Sequence, residues 1–428
     1  MNILITTHHL TYIAGSELNI LDLAITFIKL GFDVTVATFL YDYPLKEHFE
    51  INNIKVVNLL TDNTELLNKN YNLIWSQHAP TLDFVIFRLN ISADKVVFSS
   101  LSPFEPLETA PVYANLLSIC LANSEETKEQ LIDEGIEKQH ISVFPNSVTD
   151  DYFNNKYVYK EQPTHYAVIS NHMPREILDL ELELKKESIK INYYGMEKES
   201  VFVTPDFLLK YDGIISIGRS VQYGLSMGIP TYCYDHFGGI GWINSNNLEQ
   251  AKKYNFSGRD CNRKISAKKI THELINERPN KHELERLKEY SLLYFSLTNN
   301  IKAILTILES SNKVDFKKIK AVSLKRHNEY YTRILLQNKI DKDDLLGIIA
   351  TLNSYVTNNE KEIEQFKIIN EELRNTIKKK ELKIKENNEL ILKQKNILSR
   401  KAIIIFLKID NSKILRPLKK YLAKRNPV

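Results

Sequence analysis

Short apolar runs alternate with amphipathic helices through most of the chain, and that alternation restricts the fold more than any other feature. Asn2 to Thr7 reads as an apolar strand. Ala14-Gly15-Ser16-Glu17 then opens a helix whose apolar face is Leu18, Leu21, Ala24, Phe27 and Ile28, with Gly31 just past its end. Strand Val34 to Leu40, a helix around Leu45 to Phe49 and strand Ile54 to Leu59 follow. A β-α-β-α-β order predicts an α/β fold with a parallel, doubly wound sheet.

Sheets of that kind bind ligands beyond the carboxyl ends of their strands. Those ends are His8-His9, Ser76-Gln77-His78, Ser99-Ser100 and Asn123-Ser124, and polar residues gather at each. His78, after the strand Leu73 to Trp75, is the favoured working side chain; a capping or core histidine is the alternative. Ser124 is the expected N-cap of a helix with Glu125 and Glu126 in its first turn. Ile141 to Phe144 is a further strand, and the hydrophobic pattern breaks down between Asp150 and Pro163, as an interdomain linker would.

A second alternation begins with strand Tyr166 to Ser170, helix Pro174 to Glu187 and strand Ile189 to Tyr194. The stretch Tyr211 to Trp242 continues it: strand Ile214 to Ile217, a short buried helix from Arg219 to Gly228, Pro230 as terminator, and strand Thr231 to Tyr234. Asp235-His236-Phe237-Gly238-Gly239-Ile240-Gly241 then reads as a glycine-rich loop, in which backbone N–H groups can approach a phosphate closely; an ordinary tight turn is the alternative. The expected architecture is two Rossmann-like domains, residues 1–155 and 164–308, facing a cleft that holds the ligand.

Composition narrows the setting. Cys120, Cys233 and Cys261 are odd in number and scattered, which suggests neither a disulfide framework nor a zinc site and fits a reducing, cytoplasmic compartment. The N-terminus runs straight into a strand without the basic region of a signal peptide, and no apolar run approaches the roughly 18 to 20 residues that span a bilayer. The net charge of +4 is unevenly placed: residues 400–428 carry nine Lys/Arg and one Asp, leaving 48 basic against 52 acidic side chains elsewhere. Nucleic acid is disfavoured as a partner, because stacking aromatics are few in the basic tail and the rest of the chain is mildly acidic.

Ser266 to Asn276 and His282 to Leu308 read as amphipathic helices. Beyond Ser310 a heptad pattern emerges. Ile349, Val356, Ile363, Asn370, Ile377, Ile384, Ile391 and Leu398 share one position, and Leu345, Leu352, Phe366 and Leu373 the partner position, until Lys380, Asn387 and Gln394 break it. A coiled coil over 340–398 is expected, with homodimerisation through 345–398. The tail 399–428 mixes Ile403 to Leu407, Leu415 and Leu418 with Lys408, Lys413, Arg416, Lys419 and Lys420. Its stretch 402–425 suits a peripheral anchor on the anionic inner face of a membrane.

Several patches in this order resemble the retaining family 4 kind of GT-B glycosyltransferase, over residues 1 to about 308. They are MNILITT with Ala14-Gly15-Ser16-Glu17, Ala122-Asn123-Ser124-Glu125, Ile141 to Asn146 with Asp150 and Phe153, GLSMGIPTY, and the HFGG sequence. SNHMPREI at Ser170 to Ile177, GRSVQY at Gly218 to Tyr223, YDHFGGIGW and NFSGR at Asn255 to Arg259 look like a bacterial subgroup associated with surface polysaccharide assembly.

The resemblance implies sugar transfer from a nucleoside-diphosphate sugar to a glycan or lipid-linked glycan acceptor, with retention of configuration and without a metal or other cofactor. By the same resemblance Gly15 and Ser16 face donor phosphate and acceptor, and His78 sits beside the reacting sugar. Arg175 and Arg219 would stabilise the leaving diphosphate, and Gly238, Gly239 and Gly241 would cradle it. The family's two glutamates eight positions apart fall on Ile215 and Tyr223, neither acidic. Tyr223, or Arg219 with Asp235, would then have to hold the donor ribose. A degenerate, non-catalytic scaffold acting through its coiled coil is the competing expectation.

Overall fold

The computed structural model describes residues 1–323 except 196, 197, 200 and 260, together with residue 379. The heptad segment 340–398 and the tail 399–428 otherwise lie outside the described residues. The described residues up to 323 belong to one compact unit.

The first sheet has seven parallel strands: β1 (Asn2–Leu10), β2 (Asp33–Tyr41), β3 (Lys55–Asn58), β4 (Asn70–Ser76), β5 (Ser92–Ser100), β6 (Ile119–Ala122) and β7 (Ile141–Val143). Their order is β3-β2-β1-β4-β5-β6-β7. The chain winds outward from β1 to β3, then returns to place β4 on the other side of β1. The winding therefore reverses between β1 and β4, so the crevice at the carboxyl ends of these two strands is the topological switch point. Helix α1 (Gly15–Lys29) covers one face with Ile20, Leu21, Leu23, Ala24 and Phe27, all essentially without solvent contact. Phe27 meets Trp75 edge to face with ring centroids 5.7 Å apart, an arrangement the ring quadrupoles favour.

The second sheet contains β8 (His165–Ile169), β9 (Lys190–Tyr194), β10 (Gly213–Ser216), β11 (Thr231–Asp235) and β12 (Gly238–Trp242), in the order β12-β11-β10-β8-β9. Here the winding reverses between β8 and β10. β12 runs antiparallel to β11, which corrects the glycine-rich loop expected from Gly238 to Gly241. Packing explains the glycines. A Cβ on Gly238 would lie 2.2 Å from the carbonyl oxygen of Arg263, and one on Gly239 would lie 1.9 Å from that of Cys233. These residues let backbone approach backbone within the chain itself.

The apolar pattern from His282 to Leu308 resolves into two helices, Lys281–Tyr294 and Leu297–Ser310. The break falls at buried Phe295 and at Ser296, whose side chain accepts the Asn299 N–H and caps the second helix. That second helix returns to the first sheet: Leu297, Ile301, Ile304 and Leu308 pack in the same core as α1, Trp75 and Phe144. The chain thus crosses between the two bodies twice, and the crossings touch. The Val148 N–H donates to the Phe295 carbonyl at 2.7 Å, and the Leu297 N–H to the Val148 carbonyl at 2.9 Å. Among the described residues no helix is long and apolar enough to cross a membrane.

Candidate active site

At the first switch point, His78 ends the turn after β4 and precedes the helix Ala79–Asp83; it is 2% exposed. Its Nδ1 accepts the His8 backbone N–H at 2.9 Å and lies 3.1 Å from the Thr7 hydroxyl. An accepting Nδ1 carries no proton, so the neutral ring holds its proton on Nε2, 3.5 Å from the Glu108 carboxylate. Glu108 is 4% exposed and accepts the Leu101 N–H at 2.8 Å. Burial raises its pKa above the ordinary 4.5, against the opposing pull of His78.

His9 stacks on His78 with centroids 5.7 Å apart, and its Nε2 lies 3.4 Å from Oε1 of Glu17. Glu17 is buried in the first turn of α1, where Ser16 Oγ donates to its Oε2 at 2.5 Å. Gln77 fastens this turn to the end of β4: its amide donates to the Ser16 carbonyl and accepts from Asn19, both at 3.2 Å. Three imidazoles and two buried carboxylates therefore share one crevice. No group of three or more His, Cys, Asp or Glu among the described residues is disposed to hold a metal ion.

At the second switch point Arg219 opens the helix Arg219–Met227, after Gly218 with φ 58°. It is 8% exposed, and each of its nitrogens has a protein partner. Nε donates to the Tyr223 hydroxyl at 2.6 Å, one terminal nitrogen to the Gly15 carbonyl at 3.4 Å, and the other to Asp22 and to the Ser147 carbonyl. Asp22 and Gly15 belong to α1, so this guanidinium ties the two bodies together. Burial raises the pKa of Asp22, with Arg219 opposing it, and burial likewise pushes the Tyr223 phenol up to about 12. The Tyr223 ring lies flat on Tyr152, centroids 4.4 Å apart.

Gly15, Arg219 and Tyr223, read from sequence as site residues, come together around a cavity of about 120 Å³ between the bodies, which Ile13, Asn171 and Gly195 also line. A second hollow of about 160 Å³ lies between the ends of β5 and β6 and Gly218. There Arg259 crosses the cleft to pair with Glu126 and lies over the rings of Phe104 and Phe237.

The other expected residues sit elsewhere. Arg175 is 78% exposed and pairs with Asp179 at 3.7 Å on the protein surface. Asp235 is 2% exposed at the end of β11, accepting from Ser170 Oγ at 2.9 Å and from the His236 N–H at 2.8 Å. It joins the strand ends on either side of β10, and burial raises its pKa. Gly241 lies in β12 with φ 87°. Sequence reasoning missed Glu17, Asp22, Glu108 and Tyr152 as partners of the site. Only Glu17 left a signal, as an acidic residue in the first turn of the helix beside the first strand end.

No family model matches the chain, and no curated protein matches it in sequence. Among solved structures, HepE from Anabaena in complex with UDP and glucose is similar with a TM-score of 0.50 at 13% identity, over 72% of this chain and 100% of that one. TarM is similar with a TM-score of 0.50 at 11% identity, over 72% of this chain and 99% of that one. At these identities the likeness is one of fold, and the fold is GT-B: two Rossmann-like bodies facing a cleft.

Proposed function

We propose that the chain is a glycosyltransferase that moves a hexose or deoxyhexose from a nucleoside-diphosphate sugar to a glycan or lipid-linked glycan acceptor in bacterial surface polysaccharide synthesis. The observation that carries this reading is the pair of facing switch points, one furnished with a buried Arg at a helix N-terminus and the other with a His–carboxylate cluster. HepE, of the same fold, holds UDP and glucose. A departing diphosphate gains negative charge, and a fixed guanidinium at a helix N-terminus in a water-poor cleft stabilises it. In the proposal Arg219 supplies that charge, with Arg175 swinging in from the surface and the Gly15-Ser16 turn closing over the phosphates. Tyr223 takes the place of the ribose-binding carboxylate, Asp235 shapes the donor side, and His78 holds the reacting sugar. Retention of configuration follows the family resemblance.

The cavity of about 120 Å³ is smaller than the roughly 300 to 1,000 Å³ of a usual ligand site, so the donor enters with the bodies parted. The occupied guanidinium of Arg219 and the non-acidic Ile215 and Tyr223 favour a second reading, a non-catalytic scaffold. Purified full-length protein with a panel of nucleotide sugars decides between them. Donor turnover supports the enzyme, whereas absence of hydrolysis, transfer and diphosphate binding overturns it.

On sequence grounds we also place the protein at the cytoplasmic face of a membrane through 402–425, as a homodimer through 345–398. Truncation after Leu398 is expected to abolish flotation with anionic liposomes, and light scattering is expected to give twice the chain mass.

A further inference from the structure

Each nitrogen of Arg219 is engaged within the protein, and Arg175 stands on the surface. Arg259 differs from both. It lines the hollow of about 160 Å³ together with Ser102, Asn123, Glu126, Thr127 and Gly218. An arginine side chain offers five N–H donors in a fixed fork. Glu126 accepts from Nε at 3.3 Å and from Nη2, whereas Nη1 has no partner among the described residues. Glu126 is also the only acidic residue lining the hollow, so its departure would leave a cationic surface there.

The guanidinium is rooted in its own body independently of Glu126. A Cβ on Gly258 would lie 2.5 Å from the Gly238 carbonyl oxygen, so the loop bearing Arg259 rests directly on the start of β12. The Arg259 backbone N–H donates to Ser257 Oγ at 3.3 Å. Phe237, just before β12, has its ring centroid 5.6 Å from the guanidinium carbon, and Phe104 of the other body has its own at 5.0 Å. Glu126 belongs to that other body, in the first turn of the helix Glu125–Asp133. Parting the bodies therefore takes the carboxylate away and leaves Arg259 on Phe237. A carboxylate in a helix's first turn remains favourable without its partner, which keeps that separation inexpensive.

We propose that Arg259 is a phosphate-binding residue of the cleft and that Glu126 is the carboxylate it exchanges for that phosphate. The inference rests on the transferase reading above, which supplies two sources of the same chemistry: the diphosphate of the donor and the phosphate that ties a lipid-linked acceptor to its carrier. In the exchange the fork on Nε and Nη2 passes from carboxylate to phosphate oxygens, and a further oxygen meets Nη1. No charge-assisted hydrogen bond is lost and one is gained. Gly218 lines this hollow while Arg219, the next residue, lines the other cavity, so the two guanidinium groups flank one turn. Arg219 is the fixed charge of that pair and Arg259 the exchangeable one.

Calorimetry on the full-length protein at fixed ionic strength tests this, with pyrophosphate, UDP and decyl phosphate as probes. Arg259→Gln is expected to weaken binding of the phosphate that belongs there by about tenfold or more. Glu126→Gln is expected to tighten it by about threefold or more, because a competing carboxylate is gone. Both variants break the same ion pair, so a purely structural bridge moves both affinities in the same direction, and only exchange moves them apart. Arg259→Lys, which keeps the charge without the fork, is expected to fall between wild type and Arg259→Gln, and it covers the case in which Arg259→Gln fails to fold. Opposite shifts confined to pyrophosphate and UDP assign the subsite to the donor, and opposite shifts confined to decyl phosphate assign it to the acceptor's carrier. Shifts of like sign with every probe, or no shift with any, overturn the exchange. If that happens in a protein that turns over a sugar nucleotide, the transferase reading stands and only the exchange falls. Failure of every sugar nucleotide with the wild type removes the transferase reading, while opposite shifts with pyrophosphate would still show the subsite.

Discussion

The first crevice gathers three imidazoles and two carboxylates into one connected cluster, whereas at the second a guanidinium holds the Tyr223 phenol and the Asp22 carboxylate, with Asp235 apart at the end of β11. In the first, burial lowers the pKa of His8 and raises that of Glu108 from their ordinary values. In the second, Arg219 is held above an already high value and Tyr223 at about 12, so neither changes charge near neutrality. Glycosyl transfer asks for both kinds of site, a place where a proton departs and a place where negative charge arrives. Strand winding alone generates two equivalent crevices, and side chains make them unequal.

The largest effect that can break this contrast comes from Arg219→Gln. It leaves Asp22 buried without its counter-charge, and a loss of about 3 to 5 kcal/mol is expected in urea unfolding, together with loss of diphosphate binding in calorimetry. Adding Asp22→Asn is expected to restore much of the stability but none of the binding. A single-variant loss below about 1 kcal/mol would show that the second crevice is no ionic clamp.

Tyr223→Phe keeps the stack on Tyr152 and removes one hydrogen bond to a charged group, for an expected loss of about 1.5 to 3 kcal/mol. If the phenol stands in for the ribose-binding carboxylate, nucleoside-diphosphate affinity falls further than inorganic pyrophosphate affinity. Equal affinity losses would return the ribose to Asp235. Next comes Gly239→Ala, whose Cβ collides with the Cys233 carbonyl, for an expected loss of about 1 to 3 kcal/mol. Gly15→Ala, with nothing within 4 Å of its Cβ, is expected to be tolerated in stability. Diphosphate affinity of folded Gly239→Ala should match wild type; a selective loss would return a phosphate role to the strand.

The smallest expected effect is a pH slope. Glu108 has a pKa raised above 4.5, so the folded state holds its proton at pH values where the unfolded chain has released it. Stability must then fall as pH rises from 4.5 through the raised value, by at most about 1.4 kcal/mol per unit. Urea midpoints of wild type and Glu108→Gln, compared from pH 4.5 to 7, are expected to converge toward the acid end and diverge above it.

What could be read from sequence follows from the range over which each interaction acts. The alternation of strands and helices is written in local periodicity, and His78 stands where a strand pattern ends, so both were legible. Glu108 comes from a turn 30 residues beyond His78, and Asp22 meets Arg219 across 197 positions. No spacing rule reaches such pairs. The glycines of β12 misled because a loop for phosphate and a strand packed on backbone both need residues without a Cβ. The deciding fact, the Arg263 carbonyl against Gly238, is a tertiary one. Likewise the apolar period through Phe295 runs on unbroken in sequence, while Ser296 stops the helix where Val148 crosses it.

Those adjoining crossings have a mechanical consequence. Two bodies joined by one strand of chain can twist, slide and tilt freely, but two crossings hydrogen-bonded side by side at Val148 and Phe295 act like the pin of a door. Two adjoining crossings resist sliding and twisting more than a single one does. Asn300, which bonds Ser147 at 2.9 Å, and Arg219, which reaches the Ser147 carbonyl, sit next to that pin. A swing about that pin would open both cross-body pairs, Arg259–Glu126 and Arg219–Asp22, and a label on each pair would measure it directly.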